Sequence, residues 1–370
     1  MSSCAMHEDI KLSFLADVTI KESNFVFNRP PQFIILDENS MVAYNYGDAF
    51  IGIYELQSGN LTDSFELSDS LYNHLVEKLI QPRYAERILS YSELNSLHVR
   101  LNLPKPKFVQ VVSLSSDSTH IYVAFNVNIT VELNLTKNSL VSHGETFVIF
   151  FDKKFNPEDT VYLRHSTIHN MEKPPLLDSM FNFANIGMNF TIHGDNIYTG
   201  LGYSTGMYEA QKIPLIAKIG ITRGDDKIKQ GDKIFLPREY AEDTIDDNNY
   251  PSLRFLNLSQ HLLVCDQLRI FDVESGQEMF PDLLKNYYHE HIVTATLSQD
   301  QHWLYYIKRD SIGMKSLINY NLLKKQIKNS LPIDTIDGHR IIKHELKGDR
   351  LVSLYRDDEH YRMLTMKIYQ

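Results

Sequence analysis

Short apolar runs alternate with tight polar turns along the chain, and one unit recurs. Phe33-Ile-Ile-Leu runs into Asp37-Glu-Asn-Ser and then Met41-Val-Ala-Tyr. Val111-Val-Ser-Leu, Ser115-Ser-Asp-Ser and Ile121-Tyr-Val-Ala repeat it, as do Val293-Thr-Ala-Thr-Leu, Ser298-Gln-Asp-Gln and Trp303-Leu-Tyr-Tyr. Six copies are legible, with turns near Asp37, Asp117, Asp195, Ser259, Asp300 and Asp349. Asp and Gly suit such turns, because they tolerate left-handed backbone and bond locally to it. A second unit follows in several copies. Ile53-Tyr-Glu-Leu-Gln-Ser-Gly-Asn and Ile270-Phe-Asp-Val-Glu-Ser-Gly-Gln match nearly position for position, with Ile318-Asn-Tyr-Asn and Thr130-Val-Glu-Leu as looser versions. Each reads as a third strand turning into a fourth.

Four-stranded antiparallel meanders repeated roughly every 40–80 residues predict a β-propeller. The expectation is all-β: one domain over residues 1–370, a six-bladed β-propeller of four-stranded antiparallel blades. The last copy is one strand short, and Lys11-Leu-Ser-Phe-Leu-Ala-Asp-Val-Thr-Ile has strand character without a partner. It is expected to close the last blade by pairing with Arg362–Tyr369. One insertion, about 69–101, interrupts the meander. Leu71, Leu75 and Leu79 recur at helical spacing behind a Ser68 or Ser70 cap and before Pro82, which predicts one short amphipathic helix.

Leu114-Ser-Ser-Asp-Ser-Thr-His-Ile-Tyr-Val and Leu297-Ser-Gln-Asp-Gln-His-Trp-Leu-Tyr-Tyr resemble the strand-turn-strand signature of TolB-like six-bladed propellers, here without its Pro and Gly. The start Met-Ser-Ser-Cys4-Ala-Met-His resembles the end of a bacterial lipoprotein signal, with no apolar stretch before it. Together these features resemble TolB-like lipoproteins of Gram-negative bacteria. The resemblance implies lipid on Cys4 and a periplasmic or outer-membrane-anchored location, the alternative being a cytoplasmic module.

Composition sharpens this only in places. The 370 residues carry a formal net charge of -10, which argues against nucleic acid, since that partner needs a basic face. Two cysteines, Cys4 and Cys265, cannot form a disulfide framework, and Cys265 in a strand-like run reads as a small buried apolar residue. The aromatics are 21 Tyr and 19 Phe against 1 Trp, a strand-favouring set.

Phosphate-cradling, zinc-protease, nucleophile-elbow and calcium-loop motifs are absent. No cofactor, metal or catalytic residue is therefore expected. Of 15 histidines, His289 and His291 would share one side of a strand, and His165 and His169 one face if that loop is helical. Either pair would supply only half of a metal site.

Propeller geometry narrows the search to the loops between second and third strands and the links between blades. Those loops include Tyr46, Asp48, Tyr203, Tyr208, Arg309, Asp310, Arg356 and Asp357, and the links His165, His169, His289 and His291. Tyr, Arg and His are common anchors of binding surfaces. The functional expectation is a monomeric, non-catalytic scaffold engaging a protein, peptide or glycan there, touching membrane only through Cys4. The alternative is a propeller hydrolase or lyase using titratable groups at the channel mouth.

Overall fold

The computed structural model describes residues 11–20, 31–44, 50–66, 69–77, 89–100, 109–134, 139–168, 186–201, 214–220, 229–235, 256–265, 268–281, 283, 291–336, 338–357 and 360–369. The chain divides into two compact units. One comprises Met1–Ala43, Ile53–Thr62 and Arg254–Gln370, the other Tyr44–Gly52 and Asp63–Leu253.

The first strand is β1 (Lys11–Thr19). A four-stranded sheet follows, β2 (Gln32–Ile35), β3 (Ser40–Tyr44), β4 (Phe50–Glu55) and β5 (Leu61–Glu66). After helices α1 (Asp69–Leu75) and α2 (Tyr91–Arg100) come β6 (Val109–Ser116), β7 (His120–Asn134), β8 (Ser139–Asp152) and β9 (Pro157–Ile168). The third sheet is β10 (Ile186–His193), β11 (Asn196–Leu201), β12 (Pro214–Gly220) and β13 (Lys229–Phe235). The fourth has three strands, β14 (Leu256–Ser259), β15 (Leu262–Cys265) and β16 (Arg269–Asp272). The fifth is β17 (His291–Leu297), β18 (Trp303–Arg309), β19 (Lys315–Asn321) and β20 (Gln326–Pro332). In the last, short β21 (Thr335–Ile336) flanks β22 (His339–Lys347), and the four full strands are β22, β23 (Arg350–Asp357), β24 (His360–Tyr369) and β1 in that order, so its second-to-third turn is β23–β24.

All the strand pairings among the described residues are antiparallel, nearly all between consecutive strands, so the chain is all-β with few helices and built from small sheets of the β-propeller type. Among the described residues, five sheets reach the four strands of a full blade, and the expected six full blades are corrected to five. The fourth sheet falls short because its last strand stops almost as it starts. The Asp272 N–H donates to the Gln277 carbonyl at 2.9 Å and the Met279 N–H to the Ile270 carbonyl at 2.8 Å. Pro281 then follows, and a proline cannot donate to a ladder. Among the described residues, the Phe271–Glu278 bridge is what remains of that strand.

The closing strand is where the sequence placed it. β1 pairs with β24 from Lys11 opposite Tyr369 to Thr19 opposite Arg362, with an irregularity between Phe14 and Ala16. Asp17 fixes its end: the Tyr355 hydroxyl donates to both carboxylate oxygens, at 3.0 and 3.1 Å, and Arg362 pairs with Asp17 at 3.1 Å.

Side-chain alternation explains how the fifth sheet is buried on both faces. Leu304, Tyr306, Ile318 and Tyr320 join an apolar layer with Leu262, Val264 and Ile270 of the fourth sheet. Tyr305, Ile307 and Leu317 face the opposite way, into a layer with Leu346, Leu351, Leu364 and Met366 of the last sheet. Each such fully buried side chain contributes ~1.5–3 kcal/mol. Cys265 is buried, as its run suggested.

Two details correct the sequence reading. Thr130-Val-Glu-Leu is not a third-to-fourth element but the end of the long second strand β7. Among the described residues the insertion holds two helices, and the first buries Tyr72 and Leu75 while Leu71 is only half-buried; Leu79 lies outside the described residues. The second helix begins with a capping box. Ser90 N–H donates to Glu93 Oε2 at 2.8 Å, and Glu93 N–H to Ser90 Oγ at 3.4 Å.

Candidate functional site

The turns fall at two ends of each meander. First-to-second and third-to-fourth turns share one end, second-to-third turns the other. In the fifth sheet the second-to-third turn runs from Asp310 to Met314. It is held by Asp310, whose Oδ1 accepts the N–H groups of Ile312 at 3.0 Å and Met314 at 2.8 Å. Bonding its acid inward leaves the tip to apolar side chains. Ile312 is 82% exposed and Met314 47%.

Arg309 and Lys315 flank this turn as direct cross-strand partners. Two contacts bring the last sheet to them. The Lys315 N–H donates to the Asp334 carboxylate, and Ile341 N–H donates to the Asp334 carbonyl at 2.8 Å. Lys315 Nζ donates to the Ile342 carbonyl at 3.3 Å. Ile342 sits in a register shift of β22 between Ile341 and Lys343, and is 39% exposed. Arg340 is two residues before it, opposite Thr335. Arg309, Lys315 and Arg340 thus gather beside Ile312, Met314 and Ile342.

The electrostatics follow. Lys315 is only 8% exposed, and its ammonium is held below the ordinary lysine value, first by burial and then by Arg309, with Arg340 acting the same way and Asp334 opposing. Deeper in the same layer, His344 is 2% exposed and shares a hydrogen bond of 2.9 Å between its Nδ1 and Ser353 Oγ. Burial, helped by Lys315, lowers its pKa to about 3. A serine beside a histidine is the arrangement of a nucleophile and its base. Here both are sealed in the core, so the pair serves packing rather than substrate.

At the β23–β24 end the polar groups are already engaged. Asp357 accepts from Arg362 Nη1 at 3.4 Å. His339 stacks on Tyr355, ring centroids 4.2 Å apart, and burial followed by Asp17 raises the Tyr355 hydroxyl to about 12.

The expected site residues divide as follows. Arg309 and Asp310 lie at the loop end of the fifth sheet, Arg356 and Asp357 at the end of β23 in the last, and all four are exposed. His291 opens β17 opposite Arg309. His165 stands within β9 opposite Glu145, so the helical loop that would have paired it with His169 is replaced by a strand; β8 is long enough to carry its partner through Ile168. Tyr46, Asp48, His169, Tyr203, Tyr208, His289 and Cys4 lie outside the described residues. Among the described residues, no three His, Cys, Asp or Glu side chains gather to hold a metal ion. Lys315, Arg340, Ile312, Met314 and Ile342 were missed. The one available signal was the acid-free run from Ser311 to Ile333 in an otherwise acidic chain.

No family model matches the chain, and no curated protein matches it. Among solved structures it is similar to a member of the DUF4221 family from Bacteroides vulgatus, at 10% identity over 98% of this chain and 99% of that one, TM-score 0.49. It is also similar to a chain of the Mitotic Checkpoint Complex, at 10% identity over 95% and 98%, TM-score 0.38. A third is Raptor of Chaetomium thermophilum, at 7% identity over 96% of this chain and 29% of that one, TM-score 0.39. At these identities and scores the likenesses bear on neither activity nor partner.

Proposed function

We propose that the protein is a non-catalytic binding scaffold that holds a protein or peptide ligand at the second-to-third-strand end of its fifth and last sheets. The observation that carries this reading is the exposure of Ile312, Met314 and Ile342 beside Arg309, Lys315 and Arg340. An apolar centre with arginines at its margin is the composition of an interaction surface. A peptide is favoured over a glycan. Sugar rings dock on open aromatic faces, and the Tyr355 face at this end is covered by His339. Envelope anchoring through lipid on Cys4 belongs to the same proposal; labelling with palmitate, abolished in Cys4→Ser, tests it.

Site-specific photo-crosslinking tests the binding surface. A photoreactive residue at Ile312 should yield a discrete adduct in native cells. The same probe at Leu323, which is 72% exposed at the opposite end, should not. Equal labelling at both sites, or none at Ile312, contradicts the reading.

A further inference from the structure

Among the described residues, the cations around Lys315 outnumber the acids that act on it. Asp334 is the one carboxylate that electrostatically opposes the cations around Lys315 among the described residues, and it already accepts the Lys315 backbone N–H. Asp310 is bound into its own turn. Arg309 and Arg340 make no side-chain hydrogen bond or ion pair among the described residues, while the Lys315 ammonium donates to one acceptor among them, the Ile342 carbonyl. Two guanidiniums and a desolvated ammonium in one place repel each other. An oxyanion offsets that repulsion, and a carboxylate fits the planar guanidinium fork.

We propose that Arg309, Lys315 and Arg340 form a subsite for a carboxylate side chain of a peptide whose apolar neighbours cover Ile312, Met314 and Ile342. This rests on the peptide-binding reading above and names its ligand class as acidic and apolar. Charge complementarity selects that occupant. A chain of formal net charge -10 repels acidic peptides elsewhere, so this local excess of positive charge also sets where and in which register they dock.

The probe is an array of apolar heptapeptides carrying one central Glu, read against the same array carrying Gln. The wild-type protein should prefer Glu by roughly tenfold, the scale of a charge-assisted contact, and the preference should shrink with added salt. Arg309→Gln/Arg340→Gln, both exposed positions, should bring the ratio to about one while leaving weaker apolar binding. Lys315→Met should do the same. Ile312→Ser/Met314→Ser should weaken both arrays alike and keep the ratio. A wild-type ratio near one overturns the carboxylate subsite, and the surface reading then stands only if Ile312→Ser/Met314→Ser still weakens binding. Failure to bind either array overturns both.

Discussion

The two ends of the same strands are finished with different chemistry. At the end holding the first-to-second and third-to-fourth turns, polar side chains bond to their own backbone. Asp37 Oδ1 accepts the N–H groups of Asn39 and Ser40 at 2.8 and 2.9 Å. Asp117 Oδ1 accepts those of Thr119 and His120 at 2.7 and 2.8 Å, and Asp272 Oδ1 those of Glu274 and Ser275 at 3.1 and 2.7 Å. At the other end, Asp310 does the same for its turn, but Arg309 and Arg340 are left beside exposed apolar side chains. An end that satisfies its own polar groups contributes stability. An end that leaves cations and apolar area open is available to a ligand.

That contrast can be broken most forcefully at Gly59. It has φ +68°, and an added Cβ would collide with the carbonyl oxygen of Thr19 in the closing strand. Gly276, at φ +71° in the matching turn, has nothing within 4 Å. Gly59→Ala should destabilise by ~3–5 kcal/mol, combining left-handed strain with overpacking, and Gly276→Ala by only about 1 kcal/mol. Urea unfolding of the two variants checks this, and similar losses would mean the closing strand does not bear on Gly59.

Between the two ends lies His344. Its native pKa of about 3 is below the ordinary 6.5, so the unfolded chain takes up a proton before the native one does. The stability linked to neutral His344 is complete above about pH 6.5 and falls by roughly 1.4 kcal/mol per pH unit toward pH 3. Unfolding free energies measured across that range should lose this slope in His344→Leu; an unchanged slope assigns it elsewhere.

A turn-end acid should matter less. Burial alone would raise the Asp117 pKa, but the Tyr122 hydroxyl and the backbone N–H groups outweigh it and lower the value to about 2. Its side chain is 39% exposed, so solvent screens part of the effect. Asp117→Ala should cost about 1–2 kcal/mol, read from the denaturation midpoint. Smallest of all, Ile312→Ser should change stability by less than about 0.5 kcal/mol, because the side chain is already in water. A larger loss there would show that the loop end, too, is built for stability.

The turn end was legible in the sequence because its chemistry is local. An Asp that binds N–H groups two and three residues on leaves a mark at fixed spacing, and Ile53–Asn60 and Ile270–Gln277 fold into the same turn. In both, the glycine N–H reaches back four residues, to Glu55 at 2.9 Å and Asp272 at 2.8 Å. The closing strand was legible from a missing partner. The fourth sheet was misjudged because Pro281 truncates a strand whose opening looked complete. The second helix carried its signal in Ser90-Tyr-Ser-Glu93, which went unread. The loop-end cluster could not be read this way: Arg309, Lys315 and Arg340 meet through hydrogen bonds joining two sheets, to Asp334 and Ile342, and no spacing along the chain encodes that meeting.

Hydrogen exchange of the wild-type protein, with and without an acidic apolar peptide selected from the Glu array, tests the central claim most directly. The predicted result is added protection confined to the loop end, at residues 311–315 and 340–342, with residues 298–302 at the turn end unchanged. Protection at 298–302, or none at 311–315, would contradict it.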